Sequence, residues 1–403
     1  MTKVRYWLLG MILMLTVVAD AQISKLRVFA MDAEALTINK KKIQKGDATL
    51  IKAYDALLKK ADAILNQPLV TVMEKKQVPP SGDMHDYMSI AIYFWPDPSK
   101  PDGLPYIRKD GQINPEVKDY QDKENIGNMC DHVELLALAY YFSGKPKYAE
   151  KAKAQLSAWF LDEKTKMNPN FKFAQAVKGK SDGRGTGLIE SRNFINVVDA
   201  VGLLNGSIAW TNENQQGIEN WFKDFLQWMI TSKNGIDEMK SQNNHGIWYD
   251  AQKLSYALFT YNDEVAGSTV NSVKQRMELQ MDTTGFFPAE LERTISLHYS
   301  AFILDPLMMM ANMSSAAKSD LWNYTSSTGR SLRKAFEVLK PYLAQEKEWK
   351  GQQIKHFDYS LYAPPILAKG YYKYNCTSCK AAMFKVYEKD PDESIQHLIT
   401  LID

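Results

Sequence analysis

The sequence predicts an all-α protein, an α/α toroid built as an incomplete barrel of about six to seven helical hairpins, with one long loop rich in proline and aromatics near its N-terminus. Three observations carry this expectation. Segment after segment repeats apolar residues with helical period over about ten to twenty positions. Strand signals are weak everywhere, with no alternating runs of β-branched residues between turns. No fixed-length repeat recurs, which disfavours a helical solenoid.

The first residues read as a targeting segment. Lys3 and Arg5 form a basic start, residues 7–18 are apolar but short for a bilayer, and Ala19-Asp20-Ala21 is a small-residue cleavage site. The expectation is a signal peptide over 1–21 and a single toroid domain over 22–403. No Cys stands at the cleavage point, so a lipid anchor is not expected, and the location is periplasmic or secreted. Residues 48–65 are the first helix, with Leu50, Ile51, Tyr54, Leu57, Leu58, Ala61 and Leu65 on one face. Residues 78–114 cannot be regular helix, being broken by proline and glycine. A loop this long in a compact domain is usually functional, and His85, Tyr87, Tyr93, Trp95 and Arg108 are candidates for one wall of a cleft. The alternative is a structural arm packed over the core.

Helices then follow over 131–142, 147–162, 188–208, 214–230, 246–258, 265–280, 294–310, 331–343 and 361–374, with 171–186 a polar loop marked by glycines. Thr211 is the expected cap before 214. Met308, Met309 and Met310 read as core filler.

Composition narrows the function. Formal net charge is +2, and no basic run with interleaved aromatics occurs, so a nucleic-acid partner is not expected. Aromatics make up 11% of the chain, enough for a core and for a sugar-binding cleft. Cys376 and Cys379 form a lone C-x-x-C, read as a small disulfide or free thiols rather than a metal site. Cys130 reads as a small buried hydrophobe. No metal and no cofactor is expected, and the chain is expected to be a monomer.

Two stretches concentrate the chemistry: SQNNHGIWYD at 241–250 and ELERTISLHYS at 290–300. Together they supply an amide, an imidazole, a guanidinium and a phenol. The proton beside a uronate carboxylate is barely acidic, because removing it adds charge to an anion. Asn244 and Arg293 suit neutralising that carboxylate. His245 titrates near neutrality and suits a base, and Tyr299 suits a donor to the departing oxygen. The bland alternatives are a helix cap for Asn244, a first-turn residue for His245, a surface cation for Arg293 and a core aromatic for Tyr299. Further candidate substrate-binding residues are Tyr93, Trp95, Arg108, Glu190, Arg192, Asn243, Trp248 and His298, the last also readable as a packed helix residue.

Several stretches in order, DYMSIAIYFWPDP, MNPNFKFAQ, GRGTGLIESRNF, NNHGIWYDAQ and the G-x-x-P-x-E-L-x-R-T segment followed by Tyr299, resemble the alginate lyase superfamily of polysaccharide lyases, in a Bacteroides-type branch. The resemblance runs from about residue 50 to 375. It implies an α/α toroid, β-elimination at a uronic acid and no obligatory metal. It places the family's carboxylate-neutralising Asn on Asn244, its catalytic His on His245, its Arg on Arg293 and its catalytic Tyr on Tyr299. The Arg293-to-Tyr299 spacing, Gly246 and Thr294 depart from the better-known branch, so the expected anionic polysaccharide is alginate, with glucuronan or another polyuronate as alternatives. The rivals are a glycoside hydrolase, which needs two facing carboxylates, and a non-catalytic glycan-binding protein.

Overall fold

The computed structural model describes residues 26–387 and 393–402; the expected signal peptide over 1–21 lies outside the described residues. The chain opens with α1 (Ala33–Gln44) and α2 (Ala48–Leu65). Each is started by an aspartate, Asp32 and Asp47, whose side chain accepts backbone N–H groups that the first turn leaves free. The long loop carries three short strands, β1 (Met88–Ile90), β2 (Phe94–Trp95) and β3 (Ile107–Arg108). Next come α3 (Asp122–Ser143), α4 (Pro146–Phe160), β4 (Phe173–Ala176), a 3-10 turn over Gly185–Ser191, and α5 (Phe194–Leu204). The remainder is helical: α6 (Asn212–Thr231), α7 (Lys233–Met239), α8 (Asn244–Phe259), α9 (Asp263–Gln280), α10 (Pro288–Leu291), α11 (Ser296–Ser314), α12 (Leu332–Leu343), α13 (Tyr359–Tyr374), α14 (Thr377–Val386) and α15 (Gln396–Ile399).

The helices form an α/α toroid. An inner series runs α3 to α5, α5 to α8, α8 to α11 and α11 to α13, each packed on the next. Outside it, α2 and α4 cover α3, α6 and α9 cover α8, and α12 covers α11 and α13. Sequence explains the division. Nearly every side chain of α5 and α8 is buried, as befits a helix enclosed on all sides. In α6 only one stripe, including Ile218, Trp221, Phe222, Phe225 and Met229, is buried. That stripe meets Phe160, Phe171, Phe194, Tyr256 and Phe259 in an aromatic cluster joining α4, α5, α6 and α8.

Several expectations are corrected by pairings that local sequence does not display. The helix expected over 188–208 is interrupted: residues through Ser191 are 3-10, and α5 starts at Phe194. The polar loop expected over 171–186 contains β4, which pairs in parallel with β1 through Met88 to Phe173 and Ile90 to Ala176. β2 and β3 form an antiparallel pair, so the long loop is a folded arm. α3 begins at Asp122, ahead of the expected 131. Its end follows the expected pattern, with Gly144 in the left-handed region at φ 68 and Pro146 opening α4.

Gly183, Gly185 and Gly187 serve close approach of backbone segments. A Cβ on Gly187 would stand 2.5 Å from Ala174 Cβ and 2.6 Å from the Ala174 carbonyl oxygen. Gly187→Ala is therefore expected to destabilise the fold by roughly 2–3 kcal/mol through overpacking, read as a lowered urea midpoint with unchanged slope.

Cys376 and Cys379 are joined as a disulfide, and Cys130 is a buried free thiol. No helix among the described residues is long and apolar enough to cross a membrane.

Candidate active site

The two chemistry-bearing stretches meet at one cleft of about 450 Å³. Its lining comes from the folded arm, the β4 segment, the 3-10 turn and the starts of α8 and α11.

Asn243, with extended backbone, caps α8: its Oδ1 accepts from the His245 N–H at 3.1 Å. Asn244 is therefore not the cap. It is fully buried and bound to Glu290 of α10. Its backbone N–H donates to Glu290 Oε1 at 2.6 Å, and its side-chain Nδ2 donates to Oε1 and Oε2 at 3.0 and 2.9 Å. Its Oδ1 is buried and has no hydrogen-bond partner among the described residues. The amide expected to face a substrate carboxylate thus has its donor turned to a carboxylate of the protein.

His245 follows on the first turn. Its Nδ1 lies 2.6 Å from Oε1 of Glu238, a buried carboxylate at the end of α7. A carboxylate there accepts Nδ1–H, which leaves Nε2 as the nitrogen free to take a proton. Gly246 lets this turn form: a Cβ there would collide with the Ser241 carbonyl oxygen and Arg276 Nη1. Arg276 is itself fixed by Asp250 at 2.6 Å.

Arg293 and Tyr299, from the second stretch, line the same cleft. Arg293 Nη2 donates to Asp110 Oδ1 at 2.6 Å, and its Nε lies 3.2 and 3.1 Å from the two Asp110 oxygens. Asp110 belongs to the folded arm, and it also accepts from the Thr294 N–H, the Thr294 hydroxyl and Arg108. Burial alone would raise the Asp110 carboxyl, but these bonds and the Arg293 charge pull it down to about 2. Arg293 is thus already paired, leaving Nη1 uncommitted to Asp110, and its guanidinium lies 3.5 Å from the ring centre of Tyr299. The Tyr299 hydroxyl donates to the Tyr93 hydroxyl at 3.1 Å. Burial, and then the neighbouring Tyr93, raise the Tyr299 phenol above its ordinary range; Arg293 opposes them.

Of the other expected residues, Tyr93, Arg108, Glu190, Arg192, Asn243 and His298 line the cleft. Glu190 is held by the Tyr87 and Ser89 hydroxyls at 2.9 and 2.5 Å and pairs with Lys123 at 3.0 Å. His298 stacks on Phe302 at an interplanar angle of 13°. Burial, then the Arg293 and Arg192 charges, lower it to about 4, so it is neutral at pH 7. Its ring protons are expected to show no NMR titration between pH 5 and 8. Because its folded value lies below the unfolded one, stability attributable to this group falls as pH drops from about 6.5 toward 4.

Trp95 and Trp248 are corrected: neither lines the cleft. The Trp95 indole donates to the Gln112 carbonyl within the arm, and the Trp248 indole is buried, donating to the Phe302 carbonyl. His85 and Tyr87 also fall outside, His85 bound to the Lys166 carbonyl and Tyr87 buried behind Glu190.

The structure adds lining residues that the sequence did not single out. Lys123 and Arg184 bring further positive charge, so Arg108, Lys123, Arg184, Arg192 and Arg293 all border the cleft. Arg184 is held by the Gln175 side chain at 2.7 Å. Gln175 has a left-handed backbone at φ 53, an uncommon conformation for a residue other than glycine and one that clusters at functional sites. Glu190 is the sole carboxylate among the described lining residues. The described residues contain no group of three or more His, Cys, Asp or Glu placed to hold a metal ion.

Residues 71–349 match the family model described as alginate lyase. Among solved structures, an alginate lyase from Bacteroides ovatus is 38% identical, with a TM-score of 0.88, covering 94% of this chain and 100% of that one. Alginate lyase A1-III from Sphingomonas species A1 is 17% identical with a TM-score of 0.58, covering 94% and 98%, a likeness of fold. No curated protein matches the chain.

Proposed function

The chain belongs to the alginate lyase family, and on that premise we propose that it cleaves alginate by β-elimination, leaving a 4,5-unsaturated uronate at the new end. The supporting observation is the cleft itself. Five cationic side chains border it, and its lining includes His245 with an open Nε2 and Tyr299 with its Arg293 and Tyr93 partners. A polyanion is drawn to such a site. A hydrolase would need two facing carboxylates, and the described lining has only Glu190.

In this reading the uronate carboxylate lies against Asn244, His245 and Arg293 Nη1. Positive charge there stabilises the dianion that forms as the C5 proton leaves. Tyr299, protonated at neutral pH, donates to O4. Where the C5 proton and O4 lie on the same side, as in mannuronate, Tyr299 reacts as the phenolate, its own proton having passed to solvent; it takes the C5 proton and returns that proton to O4. The Arg293 plane against its ring lowers the cost of the phenolate. Where they lie on opposite sides, as in guluronate, His245 Nε2 is the base. Asp110 and Glu238 position Arg293 and His245. The basic and apolar start of the sequence supports export to the periplasm or beyond.

The test is incubation with alginate, glucuronan and glycosaminoglycans while following ultraviolet absorbance of the new double bond. Absorbance on alginate is expected. Turnover without absorbance would mean hydrolysis, and binding without turnover of any polyuronate would mean a glycan-binding protein.

A further inference from the structure

Asn244 presents a contradiction that the lyase reading must resolve. A substrate carboxylate in the cleft needs a donor, but the amide directs Nδ2 at Glu290 and leaves Oδ1 buried and unpartnered. The two oxygens of Glu290 are not equivalent. Oε1 also accepts the Asn244 backbone N–H at 2.6 Å, and a main-chain donor cannot reverse. Among these bonds Oε2 meets only the side-chain amide, at 2.9 Å.

We propose that Asn244 and Glu290 form a reversible acid–amide pair: substrate binding is coupled to uptake of one proton on Glu290 Oε2, and the Asn244 amide turns over. Its Oδ1 then accepts the new O–H from Glu290, and Nδ2 points at the uronate carboxylate. The proton comes from solvent, no other covalent bond is made or broken, and the two Nδ2 hydrogen bonds to Glu290 are exchanged for the new ones. The orphan Oδ1 gains a donor, and the cleft gains an N–H where negative charge must be held.

The driving force is competition between two carboxylates for one amide. Two such groups on either side of a shared donor cannot both stay ionised cheaply, and the buried one gives way. Glu290 is fully buried, and burial already raises its carboxyl, against the bonds from Asn244 and the nearby Arg293 and His245. Those two are the cationic and titratable groups that face it, Arg293 from its own segment and the His245 imidazole from α8. Behind them, Arg293 is paired with Asp110 and His245 with Glu238; Arg276 of α9 is committed to Asp250.

This inference rests on the lyase reading, and calorimetry separates the two. The Tyr299→Phe protein is titrated with alginate oligomers near pH 7 in buffers of different ionisation enthalpy. Uptake of about one proton per site is expected, with affinity weakening up to about tenfold per pH unit on the alkaline side. The Tyr299→Phe/Glu290→Gln protein, whose amide can donate to Oδ1 at any pH, is expected to bind with no uptake. Binding without proton uptake by Tyr299→Phe, or undiminished uptake in the double variant, overturns the proposal. No binding of any uronate oligomer by Tyr299→Phe overturns the lyase reading, and the proposal with it. If the double variant does not fold, the infrared difference spectrum of Tyr299→Phe on binding decides: a new protonated-carboxyl band supports the proposal, and its absence overturns it.

Discussion

Tyr299→Phe is expected to lower kcat on alginate by about 10³-fold while leaving the fold and KM nearly unchanged. In the proposed mechanism the phenol protonates the departing oxygen. It is buried, raised above its ordinary range and hydrogen-bonded to Tyr93, so it is protonated at neutral pH. Removing one oxygen leaves the ring that Arg293 covers. The lost contribution is therefore to the transition state rather than to binding. Rates of absorbance increase, with circular dichroism as the control for folding, decide the matter. Activity within a few-fold of the parent would remove Tyr299 from the reaction.

Glu238→Ala is expected to lower kcat by about 10²-fold, through His245 rather than through contact with substrate. Glu238 Oε1, 2.6 Å from Nδ1, fixes both the ring angle and the tautomer. Without it the imidazole divides between tautomers, and only the one with a bare Nε2 accepts a proton. The loss is expected to be larger on guluronate-rich than on mannuronate-rich polymer, since the proposed mechanism makes His245 the base only for the former. A purely structural role for Glu238 would depress both equally. The two block-enriched alginates, assayed side by side over a pH series, give the answer.

Much of this candidate site was legible in the sequence because the residues proposed to react fall in two short segments that line one cleft. Asn244 and His245 are adjacent, and Arg293 and Tyr299 share one stretch. What was hidden is the set of carboxylates behind them. Glu238 reads as one more acid in the connection between the helices expected over 214–230 and 246–258. Asp110 reads as a turn residue among prolines and glycines. Glu290 reads as one more acid ahead of the helix expected over 294–310. Each gains its meaning only from a partner brought close by the fold: Asp110 from Arg293, Glu290 from Asn244. For the same reason Asn244 and Arg293 were read as free to meet a substrate, when both are already engaged. The toroid was legible because a helix enclosed on every side, such as α5 or α8, differs in sequence from one with a single buried stripe, such as α6. The β1–β4 pair was not legible, because two short extended pieces far apart carry no local periodicity. Trp95 and Trp248 misled because an indole packs into a scaffold as readily as it stacks on a sugar.

The Asp110–Arg293 contact joins positions 183 apart in the chain. Closing so long an interval is slow, and helices held by nearby residues form sooner. A refolding molecule therefore regains its ellipticity before it regains turnover, and a partly assembled chain, however helical, is inert toward polymer.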